Sequence, residues 1–443
     1  MKSVLIVAFR FPPSAVSGTF RSLGFVRHLA NRGWEQQVLT INESLNESPD
    51  ATLLAKLPDN VSVIRSGVMD PFQVWARSKA KFKKGGAGFP GKPETKPVPT
   101  EVGTKNHSSF KDTLTHFLKT PDNQIGWFFP ALFKFFKLSK PDLIYSSAPP
   151  FTSHLIAVAF KKIWRVPLVC DFRDPWLDNP FRTIRPGWVE KWEQKLENRV
   201  IQYADIIIVN TQPVAAAMAA RHPEAHSRIH VITNGYDPED FSNINPFRDI
   251  EEAKFLLLHA GSLYGQRDPR EFLKGLHSSI YENGCKNIKV QLIGPAQGYS
   301  GMSLAEHVKE LQLEEYVDLI DSIPHQEALQ RMKGADMLLL FSQGTNLQVP
   351  AKIYEYMGLG KGIFAINEPD SATTHIMEGF GKRHFACENC AAQIADKLTQ
   401  AYNLWSDQPA EIDSINGNTK QYLRKELTNK LEKIMLSVLE KKV

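Results

Sequence analysis

The residues best suited to chemistry lie in Val349–Gly362, VPAKIYEYMGLGKG. Proline at the first position of a helix has no N–H to lose, so Pro350 can open one, followed by Ala351. Lys352 and Glu355, three residues apart, then project from one face. The free amides of such a first turn attract phosphate oxygens. A cation for phosphate and a carboxylate for hydroxyls together suggest a nucleotide-linked substrate. The plainer account is an ordinary surface Lys–Glu pair on a βα unit.

Other chemical groups follow apolar runs in the same way. ADMLLLFSQGTN (Ala335–Asn346) reads as a buried strand entering a polar loop that carries Gln343, Thr345 and Asn346. The carboxyl end of a strand is where ligands bind in open α/β sheets. In HAGSLYGQRDPREF, Gly261 and Gly265 bracket a loop beyond a strand, and Arg267 is the cation able to reach a diphosphate from it. A salt bridge to Asp268 or Glu271 is its alternative use.

After the strand PLVC come Asp171, Arg173, Asp174 and Trp176. Two carboxylates could be read as a metal pair, but the arginine between them supplies a counter-charge and favours an ion-paired loop. Near the start, Phe9–Arg21 is a loop with Pro12, Pro13 and Gly18, where a glycine lets backbone approach a ligand closely. His384, Cys387 and Cys390 form H-x-x-C-x-x-C, three zinc-type positions without a fourth, so free thiols are the better account. No G-x-S-x-G elbow or Cys–His pair supports covalent catalysis.

The positioning elements alternate. SVLIVAF, QQVLTI, VSVIRS, DLIYSS, PLVCDF, DIIIVN and IHVIT are β-rich runs, with helical stretches at Phe20–Asn31, Phe151–Trp164, Val189–Tyr203 and Pro213–Arg221. The rhythm restarts with FLLLHAGS, NIKVQLIG, VDLIDS, DMLLLFS and GIFAIN. Their helices are expected near Pro269–Asn283, Ser303–Leu311, His325–Lys333 and Ala351–Leu359. Two Rossmann-like domains follow, 1–245 and 246–410, broken at the polar SNINPFRDIEEA. A last helix, roughly Ser414–Lys442 within 411–443, is free to pack on either.

Composition sets limits on the rest. With 443 residues, 42% hydrophobic and 23% charged, the chain can bury two sizeable cores. No apolar run approaches the roughly 18 residues of a membrane span, and the opening MKSVLIVAF, soon followed by Arg10 and Pro12, reads as a strand instead of a leader. Four cysteines in this length argue for a reducing compartment, hence the cytoplasm. A net charge of +5 does not announce nucleic acid. The stretch 76–106, rich in Lys, Gly and Pro, reads as a flexible insertion. Beyond it, Phe110–Lys140 alternates aromatics and lysines through two expected helices split at Pro121. Such a segment suits the surface of an anionic bilayer, or a core-facing role with solvated lysines.

Taken in order, FRFPPSAVSGTFRSLGFVRHLANRGW, PDNQIGWFFPAL, YSSAPPFTSHLIA, PLVCDFRDPWLDN, ITNGYDPEDF, HAGSLYGQRDPREFLKGL and VPAKIYEYMGLGKG resemble a family-4 glycosyltransferase. The resemblance implies the GT-B fold, two Rossmann-like domains facing each other across a cleft. It implies a retaining, hexosyltransferase-type enzyme of surface polysaccharide or glycoconjugate biosynthesis. The donor would be a nucleotide-diphospho-sugar, the acceptor a glycan or lipid-linked saccharide, and no metal or other cofactor is expected. By this resemblance Arg267 and Lys352 act on the diphosphate and Glu355 binds ribose. Gly18, Gly261, Ser262, Gly294, Thr345, Asn346, Val349, Pro350 and Ala351 line the donor, while Arg21, Asp171, Arg173 and Asp174 stand on the acceptor side. The chain departs from the family in carrying Leu347 where a sugar-contacting glutamate is usual. A sugar-nucleotide epimerase of the same fold and a non-catalytic nucleotide-sugar-binding subunit are the alternatives. The expected place is the cytoplasm, at the inner face of the membrane if the basic aromatic region docks there.

Overall fold

A computed structural model describes residues 2–46, 49–69, 119–179, 185–251, 253–263, 266–294, 303–379, 384–407 and 417–440. The expected insertion at 76–106 and the residues 110–118 lie outside them.

The first half builds β1 (Ser3–Ala8), α1 (Ser17–Ala30), β2 (Glu35–Ile41), β3 (Val61–Ser66), α2 (Phe128–Leu132), β4 (Leu143–Ala148), α3 (Thr152–Trp164), β5 (Leu168–Phe172), α4 (Gly187–Tyr203), β6 (Ile206–Val209), α5 (Gln212–Arg221) and β7 (Ile229–Val231). Its strands form one sheet in the order β3-β2-β1-β4-β5-β6-β7. The pairs β1 with β2 and β4, β2 with β3, and β4 with β5 are parallel.

The second half adds α6 (Glu239–Ser242), β8 (Phe255–Ala260), α7 (Arg270–Tyr281), β9 (Ile288–Ile293), α8 (Leu304–Glu310), β10 (Val317–Ile320), α9 (His325–Gly334), β11 (Met337–Ser342), α10 (Lys352–Leu359), β12 (Gly362–Asn367), α11 (Ala372–Met377), β13 (His384–Cys387), α12 (Ala391–Asp407) and α13 (Arg424–Glu440). The sheet runs β10-β9-β8-β11-β12-β13, parallel in the same manner. The chain divides into two compact units, one of Met1–Leu177 with Arg182–Ile207 and Ser437–Val443, the other of Asp178–Phe181 with Ile208–Leu436.

Helices cover both faces, which is why the strands read as unbroken apolar runs. Along β8, Leu256, Leu258 and Ala260 enter one core with Ile353, Tyr356 and Met357 of α10. Phe255 and Leu257 enter the other, with Phe272 and Leu276 of α7 and Ile394 and Leu398 of α12. Each such leucine or phenylalanine contributes about 1.5–3 kcal/mol by leaving water.

In both sheets the strand order reverses, at β1/β4 and at β8/β11. The crevice outside the carboxyl ends at such a reversal is the ligand position of open α/β sheets.

Three expectations are corrected. β13 and α12 are additional to the elements expected. β13 has only four residues, too short to stand out, and α12 is carried by a stripe of Ile394, Leu398, Ala401 and Trp405. Between Pro121 and Lys140 the chain forms no single helix; two 3₁₀ segments, Ile125–Trp127 and Phe133–Lys137, flank the short α2. The last helix begins at Arg424, and Tyr422 and Leu423 just before it pack on the core that contains α10.

Candidate functional site

The reversal at β8/β11 assembles the first group. β8 ends at Ala260, and Gly261 follows with φ +149°, its amide donating to the Ile293 carbonyl at 2.6 Å. Gly294, φ +140°, follows β9 and donates to the Ile320 carbonyl at 3.0 Å. A Cβ on Gly294 would strike the Gly261 carbonyl, and one on Gly261 would strike the Lys352 side chain. Both glycines are thus required by close approach as well as by conformation.

Lys352 is the first residue of α10, and its Nζ donates to the Ala260 carbonyl. Ala351 is the N-cap, so Pro350 stands one place outside the helix it was expected to begin. The amides of Ile353 and Tyr354 bond to Pro350 and Ala351, each at 3.2 Å, which makes the entry a tight i→i−3 turn. Gly360, φ +73°, closes the other end as a left-handed cap.

The electrostatics of this corner are cationic. Burial holds the Lys352 ammonium below its usual range, Glu355 opposes that, and Arg267 adds to it. Asp268 bonds to Arg270 at 2.8 Å and Glu271 to Lys274 at 2.7 Å. His259, the penultimate residue of β8, bonds through Nδ1 to the Leu339 carbonyl at 2.9 Å. Burial pushes its imidazole down to about 3, helped by Lys352 and Arg267, so the ring is neutral at pH 7. A part-buried ammonium held at a strand end forms a place for an anion.

The loop after β11 is less uniform than expected. Thr345 is buried and donates to the Ser342 carbonyl at 2.9 Å, so its hydroxyl serves the loop's own shape. Val349 lies in the core beside α10. Asn346 is exposed, with its carbonyl taken by the Ala372 amide at 2.9 Å. Ser262 is exposed at the end of β8. Gly344 donates to the Glu368 carboxylate at 3.2 Å, which places a carboxylate against the loop in which Leu347 replaces the expected one. Glu355 is half-buried on the first turn of α10.

A second group forms at the reversal β1/β4. Arg21 donates to both oxygens of Asp171, at 2.7 and 2.9 Å, and Tyr145 donates to the same carboxylate. All three are buried. The hydrogen-bonded counter-charge of Asp171 is thus Arg21 on α1, and Arg173, which the sequence suggested, is also attracted to it. Arg173 turns to the Pro149 carbonyl and occupies the space over Gly18, where a Cβ would collide with its guanidinium. Burial depresses Arg173, against the pull of Asp174 and Asp171. The close approach that Gly18 permits is thus the approach of Arg173. Arg65 holds the preceding loop through the Pro12 carbonyl at 2.8 Å.

Tyr145, His259 and Glu368 were missed by sequence reasoning. Tyr145 and His259 lie inside apolar strands and read as core, and only their contacts set them apart. Among the described residues no three His, Cys, Asp or Glu side chains are grouped as metal ligands. In the H-x-x-C-x-x-C stretch the His384 Nδ1 lies 3.2 Å from the Ile363 amide, Cys387 is buried and Cys390 is exposed.

A sequence profile described as Glycosyltransferase Family 4 matches residues 97–240. No curated protein matches the chain. Among solved structures, HepE of Anabaena in complex with UDP and glucose is similar at a TM-score of 0.58 and 15% identity, over 99% of this chain and 100% of that one. Sucrose-phosphate synthase of Thermosynechococcus elongatus gives 0.60 and 13%, over 99% and 100%. The fold is GT-B. A putative UDP-N-acetylglucosamine 2-epimerase of Listeria monocytogenes gives 0.57 and 10%, over 100% and 98%. At these identities the solved structures speak for the GT-B fold, while the profile match supports a glycosyltransferase. No helix among the described residues is long and apolar enough to cross a membrane.

Proposed function

We propose that the chain is a retaining glycosyltransferase that moves a hexose from a nucleotide-diphospho-sugar to a glycan or lipid-linked saccharide. The observation that carries this reading is the seating of Lys352 at the end of β8 beside the Gly261–Gly294 contact, with Glu355 on the first turn of the same helix. Lys352 and Arg267 take the diphosphate and Glu355 takes the ribose hydroxyls. UDP-sugars are the first donors to test, because HepE was solved with UDP and with UDP-glucose.

In this mechanism the bond from the anomeric carbon to the leaving phosphate breaks while the acceptor oxygen bonds to the same face. The acceptor proton passes to the leaving phosphate oxygen. The protein's work is positioning and stabilisation of the departing diphosphate by two cations, which calls for no separate acid–base pair and no metal. Arg21, Asp171, Arg173 and Asp174 shape the acceptor side. The setting is surface polysaccharide or glycoconjugate synthesis in the cytoplasm, with peripheral contact to the inner face of the membrane.

Thermal-shift screening of nucleotide sugars, followed by product analysis with the stabilising donor alone, tests the reading. Slow release of free sugar and nucleoside diphosphate, with transfer when acceptors are added, is expected. Epimerised nucleotide sugar as the product would replace this reading with that of the epimerase neighbours.

A further inference from the structure

The described stretch Lys119–Lys140 carries four lysines and one acid, Asp122. That acid is occupied, accepting from the Thr152 amide at 2.9 Å and hydroxyl at 2.8 Å. The inward face of the stretch is complete. Trp127 and Ala131 are fully buried, and Phe135 stacks on Phe160 and Trp164 of α3 with ring centroids 6.3 and 5.1 Å away. The outward face carries Phe129, Phe133 and Phe136, which are 61, 72 and 88% exposed. Their spacing of four and three sets them along one side of the helical path. On α3, whose end Phe135 covers, Ile163 is 55% exposed next to Lys162. Lys134, Lys137 and Lys140 accompany the phenylalanines.

Single exposed apolar residues are ordinary, but three phenylalanines side by side among lysines are not. Water is a poor solvent for this face, and a protein partner of opposite charge would leave the ring edges to be matched one by one. An anionic lipid surface satisfies both features together: rings enter the acyl boundary while ammonium groups meet headgroup phosphates. The geometry points to Phe129, Phe133 and Phe136, with Lys134, Lys137 and Lys140 of the same segment, as the surface that seats this protein on an anionic bilayer leaflet. The assignment deepens the peripheral contact in the proposed function and supplies its residues and lipid class. It stands apart from the transfer chemistry, since docking needs neither donor nor acceptor.

Cosedimentation of the full chain with phosphatidylcholine vesicles, with and without about one third phosphatidylglycerol, tests it without any nucleotide sugar present. Wild type is expected to bind the anionic vesicles at least about tenfold more strongly than the neutral ones. The variant Phe129→Ser/Phe133→Ser/Phe136→Ser should lose at least about tenfold of that binding at unchanged far-ultraviolet dichroism. Lys134→Gln/Lys137→Gln/Lys140→Gln should lose the preference for anionic lipid, and Phe136→Trp should shift its emission to the blue on anionic vesicles. Equal binding by wild type and the phenylalanine variant, or no binding by wild type, overturns the assignment. So does light scattering that finds a dimer abolished by the phenylalanine changes, which would give the face to a second copy. Donor hydrolysis by wild type without vesicle binding is a failure of this assignment alone, and vesicle binding without donor hydrolysis is a failure of the transferase reading alone.

Discussion

Lys352 and Gly261 are bound by geometry: the lysine reaches back to the carbonyl of Ala260, and its side chain fills the space that any Cβ on Gly261 would need. The ammonium is therefore held at the end of β8 by a neutral strand-end carbonyl. Such a contact fixes its position without cancelling its charge, which stays available for an incoming anion.

Gly261→Ala should fail on two counts, since φ +149° strains any side chain and the methyl group displaces Lys352. The expected cost is about 1–3 kcal/mol in urea unfolding together with about tenfold weaker donor binding. An alanine variant with unchanged donor affinity would mean that the placement of Lys352 is irrelevant to the donor.

The buried pair of Arg21 and Asp171 should be unforgiving when halved. Asp171→Asn leaves a guanidinium buried without its anion and is expected to cost about 3–5 kcal/mol. Replacing both, Arg21→Met with Asp171→Leu, should recover most of that stability. If the pair shapes the acceptor side, the double variant retains donor hydrolysis and loses transfer; retention of both activities would make the pair purely structural.

Acid should weaken the fold through two buried histidines. Burial pushes His154 and His259 down to about 3, whereas in the unfolded chain each titrates near 6.5. Between those values the unfolded state binds more protons, so stability falls as pH drops below about 6.5, by up to about 1.4 kcal/mol per pH unit for each ring. His154 Nδ1 lies 2.7 Å from the Ser146 hydroxyl and His259 Nδ1 2.9 Å from the Leu339 carbonyl, contacts that an asparagine amide can imitate. Urea midpoints of the double variant His154→Asn/His259→Asn, taken from pH 7 to pH 5, should fall less steeply than those of wild type. Parallel slopes would show that these rings are protonated in the fold.

The strands were legible because burial on both faces demands unbroken apolar runs, so FLLLHA and MLLLF announce themselves. That Lys352 and Glu355 share the first turn of a helix was legible from their spacing of three just after Pro350. What stayed hidden was pairing between distant segments. Nothing local in Arg21 tells that it will meet Asp171 from 150 positions away, so only the adjacent Arg173 was visible as a counter-charge. Tyr145 and His259 were hidden because alternation cannot separate a satisfied core side chain from one that serves a site. Pro350 stands before the N-cap and not after it, because a proline fits either place equally well.

The central claim is that α10 and the loop after β8 bind the donor, and the rate of transfer from the stabilising nucleotide sugar by Lys352→Ala and Glu355→Ala measures it most directly. Loss of the cation on the leaving diphosphate should lower kcat by about a hundredfold or more, and loss of the ribose carboxylate should raise the donor KM by about tenfold at a smaller change in kcat. Transfer by both variants at the wild-type rate and donor KM would contradict the account.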